Sequence, residues 1–269
     1  EGNKTITAIT KANPGVITCS SHDYLTGDEI NISSIVGMTE LNNKRFLVVK
    51  IDANTFSLTD VDGVAINTTN FTTYGSAGTM NRVFQITTTY TTAEIFDLKF
   101  AQSADVMYIT HPNHQTRKLS RTGHTTWTLA AVEFTNGPFL DTNVSTTTLT
   151  PASAGVGTGV NVTASAVAGV NGGSGFLTTD VGRQIRIGDG YGIITARTNT
   201  TVVVVTVTTA FANTNANTDW SLGAFSTTTG FPSCVSFFEQ RLVFAASINN
   251  PQTVYFSKSG DYENMDANI

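Results

Sequence analysis

Residues 42–63 read Asn42-Asn43-Lys44-Arg45-Phe46-Leu47-Val48-Val49-Lys50-Ile51-Asp52-Ala53-Asn54-Thr55-Phe56-Ser57-Leu58-Thr59-Asp60-Val61-Asp62-Gly63. Two apolar runs, 46–51 and 54–58, are bounded by Asn, Asp and Gly. Val, Ile, Phe and Thr suit a pleated, half-buried surface, while Asn and Gly accept the positive φ of tight turns. Runs of this length between turn signals read as strands. The same pattern extends upstream. Residues 5–9 alternate, Asn13-Pro14-Gly15 is a turn, 16–19 form a strand, and Thr26-Gly27-Asp28 turns the chain into 29–32. Residues 1–82 are therefore expected to form one small β-barrel or sandwich.

Downstream the rhythm changes but stays β. Residues 83–86 are expected as a strand. Thr91-Thr92-Ala93-Glu94 has the form of a capping box, in which Thr accepts from the backbone and Glu reaches back. It predicts one short helix through Leu98. Strands follow over 105–110, 116–120 and 126–129, the pattern of a meander or propeller blade. Residues 141–225 are rich in Thr, Gly, Val and Ala. They predict flexible loops at 155–159 and 169–175 and strands at 160–166, 184–187, 192–196 and 202–207, with Asn199 at the last turn. Residues 226–269 resume the pattern of 83–140, with strands at 234–238, 240–245 and 253–256. The expected fold is all-β: a partial propeller or meander platform, 83–140 and 226–269, with two small β modules at 1–82 and 141–225.

Composition supports this class and excludes others. Charged residues make up 13% of the 269, against about 25% in an ordinary soluble domain. Hydrophobic residues make up 40%, enough for a packed core. The net charge is −5, so a DNA-coating role, which needs clustered Lys and Arg against phosphate, is not expected. The longest β-branched run, 202–207, is strand length and far short of the roughly 20 residues of a spanning helix. Membrane insertion is not expected. The chain starts at Glu1 without an initiator Met and reads as a piece of a longer protein or a processed product. Cys19 and Cys234 are too few for a disulfide framework or a zinc site by themselves.

Each catalytic pattern fails on a named residue. Asp60-x-Asp62-Gly63 resembles half of a calcium loop, but the position of the closing Glu is Phe71. Gly172-Gly173-Ser174-Gly175 is not a nucleophile elbow, because Phe176 follows. Gly155-x-Gly157-x-Gly159 opens no helix, so it is not a phosphate loop. The four histidines are His22, His111, His114 and His124; His111 and His114 have His-x-x-His spacing, yet no Cys or carboxylate lies beside them at ligand spacing, and a structural or turn role is expected for that pair. Glu239 and Asp261 are the carboxylates to test for glycoside cleavage, although ion pairing with Arg241 or Lys258 is the plainer reading. Trp127, Trp220, Tyr191 and Phe225 are candidates for sugar stacking, though strand aromatics usually fill cores. No enzyme activity, catalytic residue, metal or cofactor is expected.

Two resemblances add to this reading. Lys11-Ala12-Asn13-Pro14-Gly15-Val16-Ile17-Thr18, Leu25-Thr26-Gly27-Asp28, Ile35-Val36-Gly37-Met38-Thr39-Glu40-Leu41-Asn42 and Asp52-Ala53-Asn54-Thr55-Phe56-Ser57-Leu58 resemble the FCCH-type module found across phage tail proteins. That module takes its name from a half-domain of ubiquitin-activating enzymes, and the name implies no ubiquitin chemistry. His22-Asp23-Tyr24-Leu25 departs from its usual His-Gly-Leu, which implies a longer turn. The stretch 98–112, Arg117-Lys118-Leu119-Ser120, the stretch 232–244 and Ser257-Lys258-Ser259-Gly260-Asp261-Tyr262-Glu263-Asn264 resemble the nozzle (tail tubular protein B) family of short-tailed bacteriophages. The resemblance implies an incomplete β-propeller with inserted β domains, the rest of the propeller lying outside this chain. It implies a homo-oligomer, a hexameric ring at the tail tip through which DNA leaves. Upstream tail adaptor ring and fibres would be partners, and the site of action would be the virion, after synthesis in the host cytoplasm. Arg117, Arg241 and Lys258 are expected as pairing partners. The alternative is a phage adhesin or a receptor- or carbohydrate-binding module.

Overall fold

The computed structural model describes residues 3–123 and 125–266; His124 lies outside them. The chain forms two compact units, residues 1–87 with 123–126, and residues 88–122 with 127–269. The described residues form strands and short 3-10 turns, with no α-helix among them. The chain is all-β, as its composition requires.

The first unit is a seven-stranded antiparallel sheet. Its strands are β1 (Lys4–Thr5), β2 (Ala8–Ile9), β3 (Val16–Thr18), β4 (Glu29–Val36), β5 (Lys44–Lys50), β6 (Thr55–Thr59) and β7 (Ser76–Arg82). They lie in the order β1-β7-β4-β5-β6-β3-β2. β1 and β2 sit at opposite edges, yet Ile6 and Thr7 alone separate them. Three Cα steps span at most about 11 Å, so the two edges must meet. The sheet curls into a small barrel. Ile6 N donates to Gly78 O at 2.9 Å and Thr7 N to Thr18 O at 2.9 Å, which close the seam. Ile17, Ile30, Ile32, Val48, Phe56, Leu58 and Met80 point inward and are almost fully buried. Residues 83–86, expected as a strand, have no regular structure. β7 stands just before them and leaves the sheet at Arg82.

The second unit carries three antiparallel sheets. β8 (Lys99–Ser103), β9 (Val106–His111), β10 (His114–Arg121) and β11 (Trp127–Ala131) form a meander. β12 (Leu149–Pro151), β13 (Gly157–Ala164), β14 (Gln184–Ile187), β15 (Gly190–Arg197), β16 (Val202–Thr209) and β17 (Trp220–Leu222) lie in the order β12-β13-β16-β15-β14-β17. Leu149 and Asn217, from the two edges, exchange backbone hydrogen bonds at 2.9 and 3.0 Å, so this sheet also closes on itself. β18 (Pro232–Phe238), β19 (Arg241–Ser247) and β20 (Val254–Phe256) form a second meander.

The chain goes into and out of the six-stranded sheet side by side. Leu140 N donates to Leu222 O, Asn143 N to Trp220 O and Ala224 N to Pro138 O, at 2.7–2.9 Å. The two meanders then share one core of Tyr108, Val132, Leu242, Phe244 and Met265. Lys118 Nζ pairs with Glu263 Oε1 at 2.7 Å, and the Tyr108 hydroxyl donates to the same oxygen at 3.2 Å. Burial, then the Glu263 charge, pushes the Tyr108 phenol far up.

Two further local expectations need correction. The predicted helix over 91–98 is a run of turns at 92–97. Glu94 does reach back, accepting from Thr91 N and Thr91 Oγ1, both at 2.8 Å. The following hydrogen bonds span three residues, Glu94 N to Thr91 O and Asp97 N to Glu94 O. Ile95 and Phe96 stay exposed at 45% and 84%. A helix this short needs an apolar face packed on something, and none is packed here. The glycine segment 155–159 is not wholly a loop. Gly157 and Gly159 lie inside β13, where the register shifts between Gly157 and Val160.

Candidate functional site

The second unit holds a cleft of about 920 Å³ bordered by the six-stranded sheet and the β18–β20 meander. Phe139, Tyr191, Phe238, Tyr255 and Phe256 line it, with Arg186, Arg241, Asp189 and Glu239 among them. Phe238 and Phe256 are 58% and 46% exposed, unusual for rings with so much apolar surface. β20 places Val254 and Phe256 on one side of an edge strand, and the tight β18–β19 turn at Glu239 and Gln240 presents Phe238. The guanidinium of Arg186 lies 5.7 Å from the Phe139 ring centre. It is fixed there by Ser221 Oγ at 3.0 Å and Thr142 Oγ1 at 2.9 Å. Burial raises the Tyr255 phenol, and Asp141 adds to it. The cleft thus offers aromatic faces, fixed cationic donors and carboxylate acceptors, the chemistry of binding.

The residues singled out from sequence are dispersed. Trp220 is 3% exposed and its Nε1 donates to Thr147 O at 2.9 Å. Phe225 packs against Phe134, Phe244 and Tyr255. Trp127 stacks under Arg121, 5.7 Å from the guanidinium. Of the four stacking candidates, Tyr191 alone lines the cleft; the other rings are engaged by neighbouring segments. Glu239 sits in a turn at φ 44°, and Asp261 in another turn, paired to Lys258 through the backbone. Arg241 Nη1 donates to Ser257 O at 2.8 Å, a backbone partner instead of a carboxylate. The Nε of Arg117 is buried without a partner. Asp60 Oδ1 accepts from Asp62 N and Val64 N, an ordinary Asx turn. Cys19 is buried and Cys234 exposed, both free thiols; burial pushes the Cys19 thiol up.

The histidines divide by unit. His22, 3% exposed, is a core residue of the first barrel, stacked on Tyr24 and edge-on to Phe56. His111 and His114 flank the two-residue turn Pro112-Asn113 and are direct cross-strand partners. A hairpin this tight puts both side chains on one face, which spacing alone does not decide. Glu94 comes to them from the upstream turns. Its Oε1 lies 2.8 Å from His114 Nε2. The Thr91 backbone N–H, then His114 and the Thr91 hydroxyl, hold the Glu94 carboxyl down to about 2. Sequence reasoning missed this carboxylate; the Thr91/Glu94 capping pattern fixed its backbone but not its partner.

Residues 12–83 match the family described as the ubiquitin-activating enzyme E1 FCCH domain. The ubiquitin-like modifier-activating enzyme 1 of Oryctolagus cuniculus is 35% identical over 82 residues, and that of Homo sapiens 34%. Each alignment covers 29% of this chain, and the chain spans 7% of those relatives' length. The similarity thus lies in the first barrel. A solved structure, phage phi92 endosialidase, aligns over 90% of this chain and 45% of its own at 13% identity, with a TM-score of 0.21. A score that low carries no argument. The N-terminal barrel is an FCCH domain.

Proposed function

We propose that this chain is part of a structural virion protein, a segment of a bacteriophage tail nozzle that closes a ring, conducts DNA and anchors tail components. One observation carries the reading. Two small meanders, far apart in sequence, share a core while a closed barrel is inserted between them through paired, adjacent connections. This is the plan that the nozzle resemblance of residues 98–120 and 232–264 implies. Exposed Phe238, Val254 and Phe256 beside edge strand β20 support it, because unpaired edges with apolar side chains invite a neighbour. A net charge of −5 suits a channel along which DNA must slide without sticking. On this reading the full protein is a hexamer in the virion, in contact with an adaptor ring and fibres, and touches DNA transiently. Negative-stain images of the full-length protein test it. Six-membered rings are expected; a monomer by light scattering, with no rings in the images, sinks it.

The aromatic cleft favours one second reading, a glycan- or receptor-binding module. Rings flanked by Arg and carboxylates suit hydroxyl-rich ligands. Binding on a glycan array that is lost in Tyr191→Ala would favour this over the nozzle.

A further inference from the structure

We propose that Glu94, His111 and His114 form a binding site for a borderline divalent cation of the Zn²⁺ class. The donor atoms of the three side chains all lie within 4.8 Å of one another. His111 and His114 are fixed by the β9–β10 hairpin, with ring centroids 5.0 Å apart. Glu94 is fixed by Thr91, whose N–H and hydroxyl occupy its Oε2. That leaves Oε1 turned to His114. Two imidazoles and one carboxylate are a set that zinc takes with a fourth position open to water. Calcium and magnesium favour all-oxygen shells.

A third aromatic ring with a polar end stands beside the two imidazoles. Tyr90 stands edge-on to His114 at 5.3 Å and tilted to His111 at 6.3 Å. Its hydroxyl is buried and has no hydrogen-bond partner. A buried polar group without a partner is costly and calls for an explanation such as a water or ion site close by. The cation would take the place of the proton between His114 Nε2 and Glu94 Oε1, with His114 ligating as the tautomer that carries its single ring proton on Nδ1. His111 Nδ1 receives Asn113 N–H at 3.2 Å, a long contact that costs little to release. Occupancy would tie the 92–97 turns to the hairpin.

Titration calorimetry of the untagged chain with ZnCl₂ reads this directly, alongside the visible spectrum with Co²⁺. One strong Zn²⁺ site per chain and an intense four-coordinate Co²⁺ band are expected, with no heat from Ca²⁺ or Mg²⁺. Glu94→Gln and His114→Ala should each weaken Zn²⁺ by more than the 10–100-fold that loss of an orienting partner typically costs. Glu94→Gln leaves a surface turn otherwise intact, and an unchanged circular dichroism spectrum separates lost binding from lost fold. Absence of Zn²⁺ binding by the parent chain overturns the proposal. So does unaltered affinity in a folded His111→Ala/His114→Ala variant.

Discussion

Gly78 sits at φ +104° in the middle of β7. A Cβ there would meet Ile35 Cγ1 at 2.8 Å and Ile6 Cδ1 at 3.1 Å, both side chains of the barrel core. Two costs therefore combine in Gly78→Ala: about 1–2 kcal/mol for a left-handed L-residue and about 1–3 kcal/mol for overpacking. We expect a fall of roughly 2–5 kcal/mol in urea-derived stability of the first unit, read from the shift of its midpoint. Gly27, also at positive φ, has open space around its Cβ position and pays the first cost alone. The same glycine explains why β7 is not legible in the sequence. Ser76-Ala77-Gly78-Thr79-Met80-Asn81-Arg82 has Thr79 as its one β-branched residue and no aromatic, unlike the runs that announce β5 and β6. Its place comes from pairing with β1 and β4, including a Ser33–Thr79 hydroxyl contact at 3.0 Å. Such long-range pairing leaves no periodicity in the strand itself.

At the scale of elements, one buried ion pair fastens the turns that lead into β14. Asp180 and Arg183 have side chains that are 0% exposed, with Nη1 and Oδ1 2.9 Å apart. Asp180 also accepts from Leu177 N, Asn171 Nδ2 and Thr228 Oγ1, and Arg183 Nε donates to Gly223 O at 2.7 Å. Burial lowers the Arg183 pKa, opposed by the Asp180 charge. Breaking such a pair leaves a charge buried alone, at about 3–5 kcal/mol. Asp180→Ala should therefore destabilise by that amount, whereas Asp180→Ala with Arg183→Met should recover much of it. A double-mutant cycle by denaturant unfolding checks this; equal losses in the single and double variants would refute it. The hairpins are legible because their turns are local: Asn199 Oδ1 does accept from Thr201 N. The Asp180–Arg183 network is not, because Gly223 and Thr228 reach it from far along the chain. Glu94 illustrates the same limit at the histidine pair: a capping pattern tells how a carboxylate's backbone lies, and tertiary folding decides which imidazole it meets.

At the scale of the molecule, the two units have separate apolar cores. Ile30, Ile32, Val48, Phe56 and Met80 belong to one buried cluster of the first barrel. The second unit is filled by its own two clusters, one around Val162, Val203 and Val205, the other around Tyr108 and Phe244. Cooperative unfolding follows shared cores, so each unit should melt as its own transition. The first barrel is closed by backbone hydrogen bonds at its seam, with β1 and β2 brought together by Ile6 and Thr7. It leaves no long unpaired edge, and a domain of this size can hold itself together without disulfides. A fragment of residues 1–87 should therefore fold alone. Its urea transition should be single and sigmoidal, with a midpoint close to that of the first unit in the whole chain. The complementary cut, 88–269, should keep the meander core, because Glu263 still reaches Lys118 and Tyr108 within it. Aggregation or a gradual, non-cooperative melt of 1–87 would show that the barrel depends on the second unit, and that the FCCH domain is not an independent module here.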